Sequence, residues 1–145
     1  MPTRAPIICV LGHSDAGKTT IINAIRGAVI KKKMHVDITQ HIGATEIPIE
    51  VIKRICGKLT NILGIELKLQ SLLLLDTPGH EAFSNLRKRG GSIADMAILV
   101  IDAKEMFQKQ TYEAIKILKG FKVPFIIALT KIDTIPGWIS KDTYC

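Results

Sequence analysis

Residues 12 to 19 read Gly12-His13-Ser14-Asp15-Ala16-Gly17-Lys18-Thr19, two glycines, a lysine and a hydroxyl at the spacing G-x-x-x-x-G-K-S/T. That pattern suits the binding of a phosphate chain. Glycine frees the backbone so that N–H groups converge on phosphate oxygens, Lys18 reaches the β and γ oxygens, and the Thr19 hydroxyl ligates Mg²⁺. A helix opening there adds the positive end of its dipole. A plain glycine-rich turn is the bland alternative. The apolar run Ile7–Leu11 before the loop and the helical pattern Thr19–Arg26 after it supply the context that a phosphate loop needs.

A second candidate is Leu74-Leu-Asp-Thr-Pro-Gly-His-Glu-Ala-Phe83. Alone, it reads as a turn with Pro second and Gly third, followed by a solvated histidine. Beside a phosphate loop it gains a role. Asp76 then faces the same Mg²⁺, directly or through water, and Gly79 offers a backbone N–H to a γ-phosphate. His80 falls where an attacking water must be held. A third stretch, Thr130-Lys131-Ile132-Asp133, ends another apolar run. The Asp133 carboxylate can accept two hydrogen bonds from the N1–H and N2–H₂ edge of guanine, a pair that adenine lacks. The aliphatic stem of Lys131 can lie against the base. Thr130–Asp133 is weak alone; following a phosphate loop and Asp76–Gly79 at successive strand ends, the set is strong.

The elements that hold these residues are short apolar runs: Ile7–Leu11, Leu72–Leu75, Met96–Ile101 and Pro124–Leu129. Each meets polar loop residues at its C-terminal end, as strands of a parallel sheet covered on both faces do. Helical patterns at Thr19–Arg26, Ile49–Leu63, Glu81–Arg89 and Gln108–Lys119 alternate with them. The expectation is an α/β fold with ligand at the carboxyl ends of the strands. Glu66-Leu67-Lys68-Leu69 alternates and predicts an antiparallel edge strand. Residues 27 to 46 lack a clear period and read as one long functional loop.

The 145 residues suit a single domain, with 20 Lys+Arg against 13 Asp+Glu, net +7. The charge favours an anionic partner such as nucleotide or RNA. Three cysteines, Cys9, Cys56 and Cys145, show no metal-type pairing and read as reduced thiols of a cytoplasmic protein. No signal peptide is evident, and no apolar run approaches the roughly eighteen residues that span a bilayer.

Together these residues resemble the GTPase domain of translational GTPases, and within them the initiation factor 5B branch. The resemblance runs through Gly12–Thr20, Asp37-Ile-Thr-Gln-His-Ile-Gly-Ala-Thr45, Ile47-Pro48, Asp76–Phe83, Leu86-Arg-Lys-Arg-Gly-Gly91 and Pro136-Gly-Trp138. It implies a P-loop G domain that binds GTP and GDP with Mg²⁺. It assigns nucleotide contacts to Gly12, Asp15, Ala16, Gly17, Lys18, Thr19, Thr20, Gly79, Thr130, Lys131 and Asp133, and metal contacts to Thr19, Thr39 and Asp76. Thr39 becomes the first-switch threonine, and Asp15 matches a position associated with a monovalent cation. His80 becomes the catalytic residue that positions water when ribosomal RNA engages it. The implied role is ribosome-stimulated GTP hydrolysis during subunit joining by a monomeric factor. Other initiation factors and initiator tRNA would be met through domains outside this sequence. Arg87–Arg89 and Lys31–Lys33 are candidates for ribosomal RNA phosphates, against plain solvated charge.

The sequence departs from the family pattern at four places. Thr130 stands where Asn is usual, Val36-Asp37 replace two glycines, and Ser14 and Ala16 replace bulkier residues. The chain also stops twelve residues after Asp133, before a Ser-Ala motif that backs the base. Residues 1–145 therefore read as a G domain incomplete at its C-terminus. Two other classes remain. A non-hydrolysing GTP-binding module fits the altered first switch. A small-molecule kinase would also use Gly12–Thr19, but gives no reason for Thr130–Asp133 or Thr39.

Overall fold

The computed structural model describes residues 4–30, 40–41, 44–76 and 94–139, with the backbone alone at 28–30, 40, 41 and 76. The readings at Lys31–Lys33, Thr39, Gly79, His80 and Glu81–Arg89 lie outside the described residues.

Strand β1 spans Ile7–Leu11 and leads through the glycine loop into helix α1, Lys18–Ile30. The short β2, Gln40–His41, and β3, Ala44–Pro48, precede helix α2, Ile49–Leu63. Then come β4, Ser71–Asp76, β5, Met96–Asp102, helix α3, Lys109–Gly120, and β6, Phe125–Thr130. One six-stranded sheet has the order β2-β3-β4-β1-β5-β6. The strands β4, β1, β5 and β6 are parallel neighbours, as their all-apolar sequences require. Val10 sits between Asp76 and Ile98, and Asp102 faces Thr130, so the strand ends that carry polar residues line up on one edge.

Successive side chains on a strand point to opposite faces, and the core divides accordingly. Cys9, Leu11, Leu99 and Ile101 pack beneath α3 through Ala114 and Leu118. Val10, Val100, Leu74 and Ile47 pack on the other face with Ile22 of α1 and Val51 of α2. Leu11, Leu99, Val10 and Val100 are fully buried, each such side chain stabilising the fold by about 1.5–3 kcal/mol. Burial also pushes the Cys9 thiol up to about 11, so it is a neutral core group and no nucleophile.

Two expectations need correction. Residues 66–69 form no strand; the antiparallel partner of β4 is β3, in register from Ala44 opposite Leu75 to Pro48 opposite Ser71. The reason lies in α2. Its fifteen residues carry the chain about 22 Å from the helix start. It ends at Gly64 with φ 63, and the Ile49 N–H donates to the Gln70 carbonyl at 3.0 Å, back at the helix start. Residues 65–70 must cover that distance nearly extended, and a return path of this kind alternates without pairing. Nor are residues 27–46 one loop: α1 continues to Ile30, and β2 and β3 begin within them. The period of β3 is hidden because an inward position is Thr45, 1% exposed. Its hydroxyl accepts from Arg26 Nε of α1 at 2.8 Å, which satisfies a polar group in the core.

Candidate nucleotide-binding site

The glycine loop turns sharply because β5 leaves it no room. Gly12 has φ 154, and a Cβ there would lie 2.5 Å from the Val100 carbonyl oxygen. Glycine is the residue that permits both the angle and the approach. Inside the turn Lys18 is 7% exposed, and its ammonium donates to the carbonyls of Gly12, at 2.9 Å, and of His13. Lysine and loop thereby shape one another. Ser14, Asp15, Thr19 and Thr20 are exposed around this turn, while Ala16 is buried.

The third motif reaches the loop directly. The Thr130 hydroxyl donates to the Ala16 carbonyl at 2.6 Å and has the Ile101 carbonyl at 3.2 Å. The site that would carry Cβ on Gly17 is 3.7 Å from the Thr130 side chain. Thr130 therefore does join the loop, with one hydroxyl in place of an amide. Lys131 takes φ 55 and precedes a turn of 3₁₀ helix at Ile132–Thr134. Its carbonyl accepts from the Thr134 hydroxyl at 2.6 Å and the Thr134 N–H at 3.0 Å, which presents Asp133 outward, exposed.

Asp102 is a site residue that the sequence reading does not single out. It ends β5 with its side chain 3% exposed, and its Oδ2 meets Lys131 Nζ at 2.7 Å. Its Oδ1 accepts the Lys104 N–H at 2.8 Å and the Glu105 N–H at 3.4 Å. The Lys131 ammonium, followed by the Lys104 N–H, holds the carboxyl below the usual carboxylate range, and Asp102 in turn raises Lys131. Glu105 Oε2 lies 3.3 Å from Nε2 of the buried His13 without hydrogen-bond alignment. His13 Nδ1 accepts from the Asp15 N–H at 3.3 Å, which leaves the ring proton on Nε2 when His13 is neutral. His13, Asp102 and Glu105 bring three potential ligand atoms within 4.8 Å of one another, but the Lys131 ammonium already supplies the positive charge there. A signal for Asp102 exists: an acid directly after an apolar strand, the pattern that marks Asp76.

Asp76 ends β4 beside β1, its Cα in register with Val10, two residues before Gly12. The structure thus brings together Gly12, Ala16, Gly17, Lys18, Thr130 and Lys131, with Thr19 and Thr20 opening α1.

A mostly parallel α/β sheet with a phosphate loop after β1 and an aspartate turn after β6 defines a P-loop G domain. A family model, the elongation factor Tu GTP binding domain, matches residues 3–144, and the chain belongs to that family. Among curated relatives, a probable translation initiation factor IF-2 of Methanopyrus kandleri is 55% identical over 139 residues, covering 96% of this chain and 23% of its own. A protein of the same description from Thermococcus sibiricus is 56% identical over 135 residues, covering 93% of this chain and 23% of its own. The GDP-bound crystal structure of aIF5B from Aeropyrum pernix superposes with a TM-score of 0.81 at 53% identity, over 95% of this chain and 23% of that one. The elongation factor SelB of Methanococcus maripaludis superposes with a TM-score of 0.61 at 27% identity, over 94% of this chain and 25% of that one. The chain thus spans about a quarter of the length of the relatives it matches.

Proposed function

We propose that this chain is the GTP-binding and GTP-hydrolysing domain of a translation initiation factor that acts when ribosomal subunits join. The observation that carries the reading is the Thr130 hydroxyl on the Ala16 carbonyl, 2.6 Å, which ties the strand end bearing Asp133 to the phosphate loop. A ligand with both a diphosphate and a guanine is the one that needs both ends. The relatives named as initiation factors and the GDP-bound aIF5B structure support the same reading.

In this reading the backbone of Gly12 to Thr20 and the Lys18 ammonium hold the phosphates, with the Gly79 N–H offered to the γ-phosphate. Lys131 and Asp133 hold the base. Oxygen donors at Thr19, in the first turn of α1, and at Asp76, at the adjacent strand end, suit a hard cation, and Thr39 completes the set for Mg²⁺. The ion neutralises charge on the β- and γ-phosphates when bound. Asp15 is the residue to which this reading assigns a monovalent cation near the phosphates. His80 orients the attacking water, and ribosomal RNA engages it together with Arg87–Arg89. The factor acts in the cytoplasm as a monomer, and meets initiator tRNA and other factors through segments outside this domain. Sheet edge β6 exposes Ile126, Ile127 and Leu129 by more than half, which favours a following segment that covers it.

The test is phosphate release from GTP with and without intact ribosomes. Ribosomes should stimulate release, and His80→Ala should cut the stimulated rate by roughly 10² while GTP affinity stays within a few-fold. GTP bound but never hydrolysed would leave a binding module only.

A further inference from the structure

Among the described residues, the side chain that meets the ammonium of Lys131 is that of Asp102, at the end of β5. Lys131 is 41% exposed on its side chain, whereas Asp102 is 3% exposed. A lysine so open has many rotamers available in water. The carboxylate itself cannot wander. Its Oδ1 is held by the N–H groups of Lys104 and Glu105, and its Cα is in register with Thr130 of β6. Those same backbone bonds turn the chain after β5 so that Glu105 comes within 3.3 Å of His13 in the phosphate loop. One buried acid therefore touches the base motif on one side and shapes the neighbour of the phosphate loop on the other.

We propose that Asp102 is a positioning residue for guanine-nucleotide binding, which acts by fixing the Lys131 side chain so that its stem lies ready for the base. This rests on the reading of Thr130–Asp133 as the guanine motif. Asp102 touches no ligand itself. Its contribution is to remove the freedom that Lys131 would otherwise lose on binding, which appears in affinity and in dissociation rate. Asp102→Asn keeps the shape and an oxygen for the Lys104 N–H, but turns an N–H₂ or a neutral oxygen toward the ammonium. Lys131, open to water, then swings free without stranding a buried charge.

The experiment measures affinity and dissociation of a fluorescent GDP with the full chain, for the unaltered protein, Asp102→Asn, Lys131→Met and the double variant. Asp102→Asn should weaken binding about tenfold through faster dissociation, yet by less than about twofold when Lys131 is already Met, since the two act as a unit. An equal loss in both backgrounds, or a lower melting temperature with unchanged affinity, would assign Asp102 to general stability and overturn the proposal. Should Asp102→Asn not fold, Asp102→Ser retains an acceptor for the Lys104 N–H and is judged by the same criteria. Failure of both to fold also overturns it. If the unaltered chain binds no GDP, the guanine reading itself falls, and this inference with it.

Discussion

The hydroxyl of Thr130 donates to the carbonyl of Ala16 at 2.6 Å across 114 residues of sequence, and so fastens the last strand to the loop after the first. Thr130→Val keeps the shape and deletes the bond. It should cost about 1 kcal/mol in denaturant unfolding, because the Ala16 carbonyl loses its partner. Affinity for GDP should fall about fivefold, a similar free energy, as loop and base turn lose their shared anchor. Titration of both proteins with GDP checks this, and an unchanged affinity would separate the two halves of the site.

Gly12 is where the sheet itself limits the loop. A methyl group at 2.5 Å from the Val100 carbonyl oxygen, at φ 154, forces either loop or strand to move. Gly12→Ala should destabilise by about 2–4 kcal/mol and abolish measurable nucleotide binding. Gly27 offers a control on α1, since a Cβ there meets nothing within 4 Å. Thermal melts of the two variants should differ accordingly, Gly27→Ala being neutral or slightly stabilising.

Asp133 stands exposed on its turn, where a carboxylate can meet a donor pair on a base. Competition between GDP and ADP should show a preference of about 10⁴ or more, because adenine leaves that carboxylate unpaired in the complex. Asp133→Asn should reduce the preference by at least about 10², since the amide sets an N–H₂ donor where the second carboxylate oxygen accepts. Comparable affinities in the unaltered protein would remove guanine from the reading.

The Asp102–Lys131 pair also predicts how stability depends on pH. The Asp102 carboxyl titrates below its ordinary 3.8 in the fold, with the Lys131 ammonium as the main cause. The unfolded chain therefore binds the proton first as pH falls. The stability due to Asp102 is present in full above about 3.8 and is lost as pH drops through the lower folded value. Asp95 behaves likewise, held down by the Ile7 N–H and then by Arg4. Melting temperatures taken from about pH 6 to about pH 2.5 should fall less steeply for Asp102→Asn than for the unaltered protein. Part of the acid slope should remain with Asp95.

What the sequence determined by itself is what local spacing and composition encode. Ile7–Leu11 is a buried strand because an all-apolar run bounded by a glycine loop has few other uses, and Ile49–Leu63 is a helix by its period; the structure reproduces both spans. The loop Gly12–Thr19 and the turn at Thr130–Asp133 were legible for the same reason, since their chemistry lies in contiguous residues. Tertiary structure alone decided three things. It chose Ala44–Pro48 over residues 66–69 as the antiparallel strand, because the reach of α2 stretches the latter into a return path. It gave Thr45 its partner in Arg26, without which a buried hydroxyl spoils the strand period. And it set Asp102 against Lys131, 29 positions apart, through the pairing of β5 with β6. Hydrogen bonds and ion pairs act over about 3 Å of space, whatever the distance along the chain, so a residue whose role is to hold another becomes visible only once the strands are side by side.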